Sequence, residues 1–303
     1  GVQTLEDIFK KIINGFEFAF KEAYPLKNIL LNMESTLKGL KPEITIDSLS
    51  KDPSVSLNLS FEDKKNIDEI MSYINLQSKK SPGMLVLEEV QDIAKIPSAQ
   101  AILRGYFQVF QNVPIIVMGS MRHLLSEMFS HPNAPLANFG YDIQINPIDY
   151  KLYQKYMNDR FKVNGLKINL ATSTELQNML NRVPEAINMV CFEIQLLFKN
   201  QLIGSDDVVT AIQSLLYKRH SRFQYFLSHR SASERRVLAV ISKFGHVLMP
   251  SSKGMINETR LTARSLILNF TKLYDEGVIE QNELGYYISD PLLNYFIGSK
   301  KHI

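Results

Sequence analysis

Residues 83 to 92 read Gly-Met-Leu-Val-Leu-Glu-Glu-Val-Gln-Asp, an apolar run that stops at two adjacent carboxylates. The four apolar residues from Met84 to Leu87 predict a short strand of the fully buried kind found inside parallel sheets. In open α/β sheets, ligands bind at the carboxyl ends of such strands. The sequence therefore predicts that Glu88 and Glu89 lie at the ligand-binding edge of a sheet.

A second apolar run follows one crossover further along the chain. Residues 113 to 120 read Val-Pro-Ile-Ile-Val-Met-Gly-Ser, and residues 99 to 110, between the two runs, have the periodicity of a helix. Two strands joined in this way are expected to be parallel neighbours, because the crossover returns the chain in the same direction. The residues expected to share one crevice at the strand ends are Glu88, Glu89, Gly119 and Ser120.

Three further patterns surround this predicted sheet. Two segments within residues 43 to 60 alternate apolar and polar side chains, which predicts a hairpin insertion. Ser120 has the residue type of a helix N-cap, and a helix is predicted over residues 122 to 129. Residues 142 to 145, Asp-Ile-Gln-Ile, predict a short third strand.

Composition and charge indicate the class of protein. A chain of 303 residues with 45% hydrophobic and 21% charged residues is typical of a globular protein of about two domains. No apolar stretch approaches the roughly 18 residues that span a bilayer, and the first 20 residues lack a signal-peptide pattern, so we expect a cytoplasmic protein that does not enter a membrane. The single cysteine, Cys191, lies in a helical pattern and is expected to be a buried, unreactive thiol.

The last third of the chain is basic and has a mixed pattern. Residues 210 to 303 carry 13 Lys/Arg against 7 Asp/Glu. Helices are predicted over residues 233 to 243, with Ser233 as the cap, and over residues 259 to 276. The second helix is expected to turn these side chains inward: Leu261, Leu266, Ile267, Phe270, Leu273 and Tyr274.

An apolar strand, a polar turn and an aromatic strand follow within residues 275 to 289. Two helices and a β-hairpin are the parts of a winged helix, whose second long helix can enter the major groove of DNA. The candidate nucleic-acid contacts on that helix are Arg260, Arg264 and Lys272. Four acids beside it oppose DNA binding, because they would repel phosphates: Asp275, Glu276, Glu280 and Glu283.

The order of these pieces resembles the archaeal-type ATPases of the STAND and AAA+ group, which are P-loop NTPases. In that family an apolar strand followed by Asp-Glu-x-Gln is the Walker B motif, and the next strand ends in Gly-Ser at the sensor-1 position. A later Gly-x-Pro opens a lid helix, and a winged helix ends the protein. The matching residues here are Glu88, Glu89 and Gln91; Gly119 and Ser120; Arg182, Val183 and Pro184; and residues 290 to 296.

The resemblance implies a fold and a set of domains. The fold class is α/β, an incomplete P-loop NTPase parallel-sheet core followed by an all-α lid and a winged-helix domain. The core spans residues 1 to 148 and includes the hairpin insertion near residues 43 to 60. The lid spans residues 149 to 229, and the winged helix spans residues 230 to 303.

The resemblance also implies roles for individual residues. Glu89 positions the attacking water, and Ser120 senses the γ-phosphate, as the catalytic pair. Glu88 helps to hold Mg²⁺. The residues expected near bound ATP or ADP are Glu88, Gly119, Arg182 and Pro184.

The sequence departs from the family pattern in three places. No Gly-x-x-x-x-Gly-Lys-Ser/Thr phosphate-binding loop occurs in the 303 residues. Glu88 replaces the usual aspartate and is one methylene longer, and Arg182 replaces the usual glycine. Residues 1 to 8 resemble the helix after the family's second strand, so the phosphate-binding loop is expected upstream, and the chain is expected to be the carboxyl part of a longer protein.

Three functions therefore remain open. The first is a nucleotide-dependent switch, an ATPase in the intact protein and nearly inactive as this chain, whose winged helix reports the nucleotide state to a protein partner. The second is a winged-helix DNA-binding regulator with a vestigial ATPase core. The third is an interaction scaffold with neither activity.

Overall fold

The computed structural model describes residues 2–23, 42–46, 53–57, 64–79 and 83–299. The chain divides into two compact units, Gly1–Ile143 and Gln144–Ile303, which we call unit 1 and unit 2. Among the described residues, no helix combines the length and the apolar character that crossing a bilayer requires.

Unit 1 alternates helices with short strands. Its elements are α1 (Leu5–Ala23), β1 (Pro42–Ile46), β2 (Pro53–Leu57), α2 (Lys64–Gln77), β3 (Leu85–Leu87), a 3₁₀ helix (Val90–Lys95), α3 (Ala99–Val109), β4 (Ile115–Val117) and α4 (Arg122–Ser130). Strands β3 and β4 are parallel, which confirms the predicted crossover. Strands β1 and β2 pair antiparallel within the range of the predicted hairpin, whose turn lies outside the described residues.

The small parallel sheet is covered on one face. Leu85 and Val117 are half-buried and pack against a core formed by α1, α2 and α3. On the opposite face, Val86 and Ile116 are exposed. The prediction of a strand buried on both faces is therefore wrong for β3, because within the described residues only one layer of helices packs against this sheet.

Residues 142 to 145 do not form the predicted third strand. The segment has the alternating pattern of a strand, but its apolar side chains face solvent: Tyr141 is 99% exposed and Ile145 is 92% exposed. A strand needs a neighbour to take up its backbone hydrogen bonds, and no described strand pairs with this segment.

Unit 2 is mostly helical. Its elements are α5 (Tyr150–Phe161), a 3₁₀ helix (Lys162–Asn164), β5 (Lys167–Ile168), α6 (Leu170–Met179), α7 (Pro184–Leu197), β6 (Leu202–Ile203), α8 (Ser205–Lys218), α9 (His220–Ser228), α10 (Ala232–Phe244), α11 (Lys253–Thr259), α12 (Ala263–Asp275), β7 (Ile279–Asn282), β8 (Gly285–Ile288) and α13 (Pro291–Ser299). Strands β5 and β6 are parallel, whereas β7 and β8 form an antiparallel hairpin.

One hydrophobic core runs through unit 2. Its buried side chains extend from Tyr153 to Ile297 without a break between the helices before residue 229 and those after it. The rings of Phe223 in α9 and Phe296 in α13 lie 5.0 Å apart, centroid to centroid. Residues 149–229 and 230–303, which the sequence analysis separated, therefore pack around a shared core.

Local details of α10 to α12 differ from the prediction. Helix α10 is capped by Ser231 and not by Ser233: Ser231 Oγ accepts a hydrogen bond from the Glu234 amide, and the Glu234 carboxylate accepts one from the Ser231 amide. The predicted helix over residues 259 to 276 starts later, because Arg260 has a left-handed backbone (φ 55°) that ends α11. Ile267 in α12 is exposed and does not face inward as predicted.

Two buried carboxylates of unit 2 are held by lysines. Lys218 Nζ donates to Glu193 at 2.6 and 2.9 Å, and Ser214 Oγ donates to the same carboxylate at 2.6 Å. Burial pushes the pKa of Glu193 up, but these hydrogen bonds outweigh burial and leave the pKa below its usual range. Lys272 Nζ donates to Glu234 in the same way, and the pKa of Glu234 is likewise lowered.

Cys191 lies within α7, and its side chain is buried, as the sequence analysis predicted. Burial raises the pKa of its thiol to about 12. A thiol with this pKa is almost entirely protonated at neutral pH and is a poor nucleophile. Cys191 is therefore part of the core.

Two leucines of α12 give a test of the packing. Leu273 is fully buried, whereas Leu268 on the same helix is 63% exposed. We expect Leu273→Ala to lower the free energy of unfolding by about 2 to 5 kcal/mol, because it leaves a cavity in the core. Leu268→Ala, the matched control, should change it by no more than about 0.5 kcal/mol. Urea unfolding followed by circular dichroism measures both, and equal effects would contradict the described orientation of α12.

Candidate functional site

The carboxyl ends of β3 and β4 lie side by side in unit 1. Leu87 pairs with Val117, and the Met118 amide donates to the Leu87 carbonyl at 2.9 Å. The Val90 amide donates to the Met118 carbonyl at 3.2 Å, so the two chains stay together beyond the strands. Because the pairing is in register, Glu89 is carried beside the segment that contains Ser120, as the sequence predicts.

A tight turn follows β3 and sets the direction of the Glu89 side chain. Glu89 has φ 52° and ψ 42°, the left-handed conformation, and the 3₁₀ helix starts at the next residue, Val90. A side chain other than glycine is uncommon in this conformation. The turn lets the Glu89 carboxylate reach the end of β4, where its hydrogen-bond partner Ser120 lies.

Two donors hold one oxygen of the Glu89 carboxylate. Ser120 Oγ donates to Glu89 Oε2 at 2.9 Å, and the Gln91 side-chain amide donates to the same oxygen. The hydrogen bond from Gln91, followed by the one from Ser120, lowers the pKa of Glu89 below its usual range, even though burial opposes the shift. Glu89 is therefore an ionised carboxylate. The Ser120 backbone amide is a further donor to this carboxylate.

Ser120 uses its side chain for this contact and not as a helix cap. The N-cap of α4 is Met121, and no side chain caps that helix end. The expectation that Ser120 caps the helix is therefore wrong. Its hydroxyl hydrogen is committed to Glu89, and this leaves its oxygen lone pairs as acceptors.

Gln91 is the site residue whose role the sequence did not reveal. It is only 5% exposed, and it lies two positions after Glu89 at the start of the 3₁₀ helix. The spacing Glu-x-Gln was visible in the sequence, but it did not say that the amide turns back onto the carboxylate. That contact depends on the turn at Glu89, and no residue type in the sequence predicts this turn.

Glu88 is exposed and makes no hydrogen bond or ion pair within the described residues. Mg²⁺ in nucleotide sites is typically held by one or two carboxylates, with phosphates and waters completing six oxygen ligands. Glu88 fits part of such a shell. The described residues contain no cluster of three or more His, Cys, Asp or Glu that would hold a metal without a nucleotide.

A cavity of about 620 Å³ lies along β3, between that strand and helices α1 and α2. Most of its wall is apolar, and Glu88, Glu89 and Asp92 contribute carboxylates to it, whereas Lys11 is its single described basic residue. A surface of this composition disfavours phosphate, which binds at backbone amides and basic side chains. The described part of unit 1 therefore supplies acidic groups of a candidate site but not a phosphate cradle.

Arg182 and Pro184 belong to unit 2, whereas Glu89 and Ser120 belong to unit 1. The Arg182 guanidinium lies 4.1 Å from the centroid of the Tyr150 ring and donates to the Ile148 carbonyl. Its backbone φ is 58°, the left-handed region that glycine adopts most readily. Pro184 is the first residue of α7, a position that proline favours.

The three basic residues that the sequence singled out for nucleic acid are not equivalent. Arg260 and Arg264 are exposed, near the start of α12. Lys272 lies in the last turn of α12, and its ammonium is bonded to the buried carboxylate of Glu234. Lys272 therefore already has an anionic partner inside unit 2.

Comparison with known proteins identifies the fold. No protein family and no curated protein matches the sequence. Among solved structures, the Walker-type ATPase Paby2304 of Pyrococcus abyssi matches with a TM-score of 0.62 and 15% identity, over 97% of this chain and 79% of that one. The RuvB Holliday junction branch migration motor of Thermotoga maritima matches with a TM-score of 0.37 and 12% identity, over 72% of this chain and 71% of that one. The chain has the α/β fold of a Walker-type, P-loop ATPase.

The hydrogen bonds to Glu89 predict its titration. Ser120→Ala and Gln91→Met each remove one donor while nearly preserving side-chain volume, so each should raise the pKa of Glu89. The pKa of Glu89 is lower in the folded protein than in the unfolded chain. These hydrogen bonds therefore stabilise the fold at pH values above the unfolded pKa, and this stabilisation is lost as the pH falls through the folded pKa. Carbon-13 NMR titration of the glutamate carboxyls measures the shift. An unchanged Glu89 midpoint in both variants would contradict the described contacts.

Proposed function

We propose that the protein is a nucleotide-dependent switch that binds ATP and hydrolyses it with Glu89 as the general base. The observation that carries this proposal is the Glu89 carboxylate, held by Ser120 at 2.9 Å where two parallel strands end. Such strand ends are the ligand-binding edge of open α/β sheets. An ionised carboxylate at that edge has the chemistry needed to orient and deprotonate an attacking water.

The side chains of the pair would divide the work. Glu89 Oε1 accepts the proton from water, while Oε2 stays bonded to Gln91 and Ser120 and fixes the direction of the carboxylate. Ser120 offers its lone pairs to the water or to a donor near the γ-phosphate, so that a change at the phosphate reaches Glu89 through one hydrogen bond. Glu88 would join the shell of Mg²⁺, which neutralises phosphate charge when bound.

The proposal requires a phosphate-binding segment outside these 303 residues. The chain lacks the Gly-x-x-x-x-Gly-Lys-Ser/Thr motif, and the cavity beside β3 has an acidic and apolar wall. The exposed face of the sheet supports this requirement. Val86 and Ile116 are left uncovered there, although parallel sheets are normally covered on both faces. A further strand and helix would cover such a face.

We assign the output of the switch to unit 2. Helices α5 to α9 would form the lid, and α10 to α13 with the β7–β8 hairpin would form a winged helix. The shared core, including the contact of Phe223 with Phe296, supports transmission of a lid movement to the winged helix. The exposed face of α12 carries Ile267 and Leu268, apolar side chains that suit a protein partner.

The catalytic part of the proposal predicts the effect of one substitution. In the protein expressed from its natural gene, Glu89→Gln should keep nucleotide affinity within a few-fold and lower the hydrolysis rate by about 10² to 10⁴-fold, because the amide cannot accept the proton. Calorimetry with Mg·ATP measures the affinity, and phosphate release measures the rate. Asp92→Asn is a matched control, since Asp92 lines the same cavity and has no assigned role.

The 303-residue chain alone should show no appreciable hydrolysis, because no P-loop amides or lysine grip the phosphates. Robust turnover by this chain that disappears in Glu89→Gln would overturn that expectation. Failure of the naturally expressed protein to bind ATP would end the proposal as a whole.

DNA binding through α12 is the second candidate function. The exposed Arg260 and Arg264 favour it, whereas the Lys272–Glu234 contact and the exposed Leu268 oppose it. We expect no salt-sensitive DNA binding. Several phosphate contacts would make the DNA affinity fall steeply between about 50 and about 200 mM salt. Fluorescence anisotropy with a random duplex tests this. Salt-sensitive binding that Arg264→Ala weakens and Leu268→Ala leaves unchanged would favour the DNA-binding function.

A further inference from the structure

The backbone conformation at position 119 does not require a glycine. Glycine is required where φ is positive, and the glycines with positive φ among the described residues do not include Gly119. Its conformation is one that other residues adopt without strain. The reason for a glycine at the end of β4 must therefore lie in the space around it.

The space beside Gly119 is filled by the side chain of Gln91. A Cβ atom built on Gly119 would overlap Gln91 Oε1 and would lie 3.2 Å from Gln91 Cδ and 3.4 Å from Leu125 Cδ1. The first contact is closer than real Cβ atoms make, so one of the two groups would have to move. Any residue larger than glycine at position 119 would displace the Gln91 amide.

Gln91 has little freedom to move. It is almost completely buried, its amide nitrogen donates to Glu89, and its Oε1 is buried with no hydrogen-bond partner. Exchanging the amide nitrogen and oxygen would place two acceptors, Oε1 and the Glu89 carboxylate, against each other, so the described orientation is the favourable one. The side chain is therefore wedged between Gly119 and the carboxylate that it holds.

We propose that Gly119 is a positioning residue: its missing side chain makes the room in which Gln91 reaches and orients the Glu89 carboxylate. Its meaning for catalysis rests on the function proposed above. The packing gives Gly119 a different role from close approach to a phosphate, because the space that a side chain would occupy already holds Gln91. Strands β3 and β4 are then coupled twice at their ends, through the Ser120–Glu89 hydrogen bond and through the packing of Gln91 on Gly119.

The inference makes the effect of one substitution depend on another. Gly119→Ala alone should displace Gln91, remove its hydrogen bond to Glu89 and lower the free energy of unfolding. It should also shift the NMR signals of the Gln91 side-chain amide, which Gln91→Ala identifies by their loss. In a Gln91→Ala background the obstruction is absent, so adding Gly119→Ala should not lower stability further. Proton–nitrogen NMR spectra and urea unfolding of the 303-residue chain and of its three variants measure both quantities.

Gly105→Ala is the matched control for the added methyl group. Gly105 lies in α3, and a Cβ there meets no atom within 4 Å, so the Gln91 amide signals should not move and stability should not fall. Equal losses of stability from Gly119→Ala with and without Gln91, or unmoved Gln91 amide signals in Gly119→Ala, would overturn the inference. If Gly119→Ala does not fold, folding of the Gln91→Ala/Gly119→Ala double variant would support it, and failure of the double variant to fold would overturn it.

The two proposals fail separately. The NMR spectra and unfolding curves use the chain without nucleotide, so loss of the expected non-additivity leaves ATP binding and hydrolysis untouched. Absence of ATP binding, in turn, leaves the packing of Gly119, Gln91 and Glu89 intact and removes only its catalytic meaning.

Discussion

The parallel pairing of β3 with β4 is the constraint on which the rest of the site depends. The two strands pair in register at three positions, from Leu85 with Ile115 to Leu87 with Val117. This pairing brings together the starts of two loops that lie about thirty residues apart in the sequence. A slip of one residue would turn the apolar side chains of β3 to the opposite face and would remove them from the core of α1, α2 and α3. The same burial that fixes the register therefore fixes the distance between Glu89 and Ser120.

The two carboxylates at this edge have different surroundings, and these surroundings determine their chemistry. Glu88 is exposed and makes no hydrogen bond or ion pair within the described residues. Glu89 turns back through a left-handed backbone, and the side chains of Gln91 and Ser120 both donate to one of its oxygens. Hydrogen bonds to the ionised form favour that form, so the environment keeps Glu89 a carboxylate. The buried glutamates of unit 2 illustrate the contrast. The carboxylates of Glu193 and Glu234 accept hydrogen bonds from lysines, and these contacts link helices of unit 2.

More of the fold than of the candidate site could be predicted from the sequence. Periodicity and the two apolar runs predicted the parallel crossover, because burial of β3 and β4 leaves a pattern in residue types. The strand predicted at residues 142 to 145 failed, since its alternating pattern has no described strand to pair with. Glu89 and Ser120 could be nominated from their positions at strand ends. The contact of Gln91 with Glu89 and its packing on Gly119 could not, because both arise from one turn and one cavity in three dimensions.

Paramagnetic broadening tests whether the strand ends carrying Glu88, Glu89 and Ser120 form the metal-facing half of a nucleotide site. The experiment titrates Mn²⁺·ATP into the isotopically labelled, naturally expressed protein. We expect the amide resonances of Glu88, Glu89 and Ser120 to broaden first and to recover when excess Mg²⁺·ATP displaces the manganese complex. Broadening that spares these residues, or that appears with Mn²⁺ alone and does not depend on the nucleotide, would contradict this assignment.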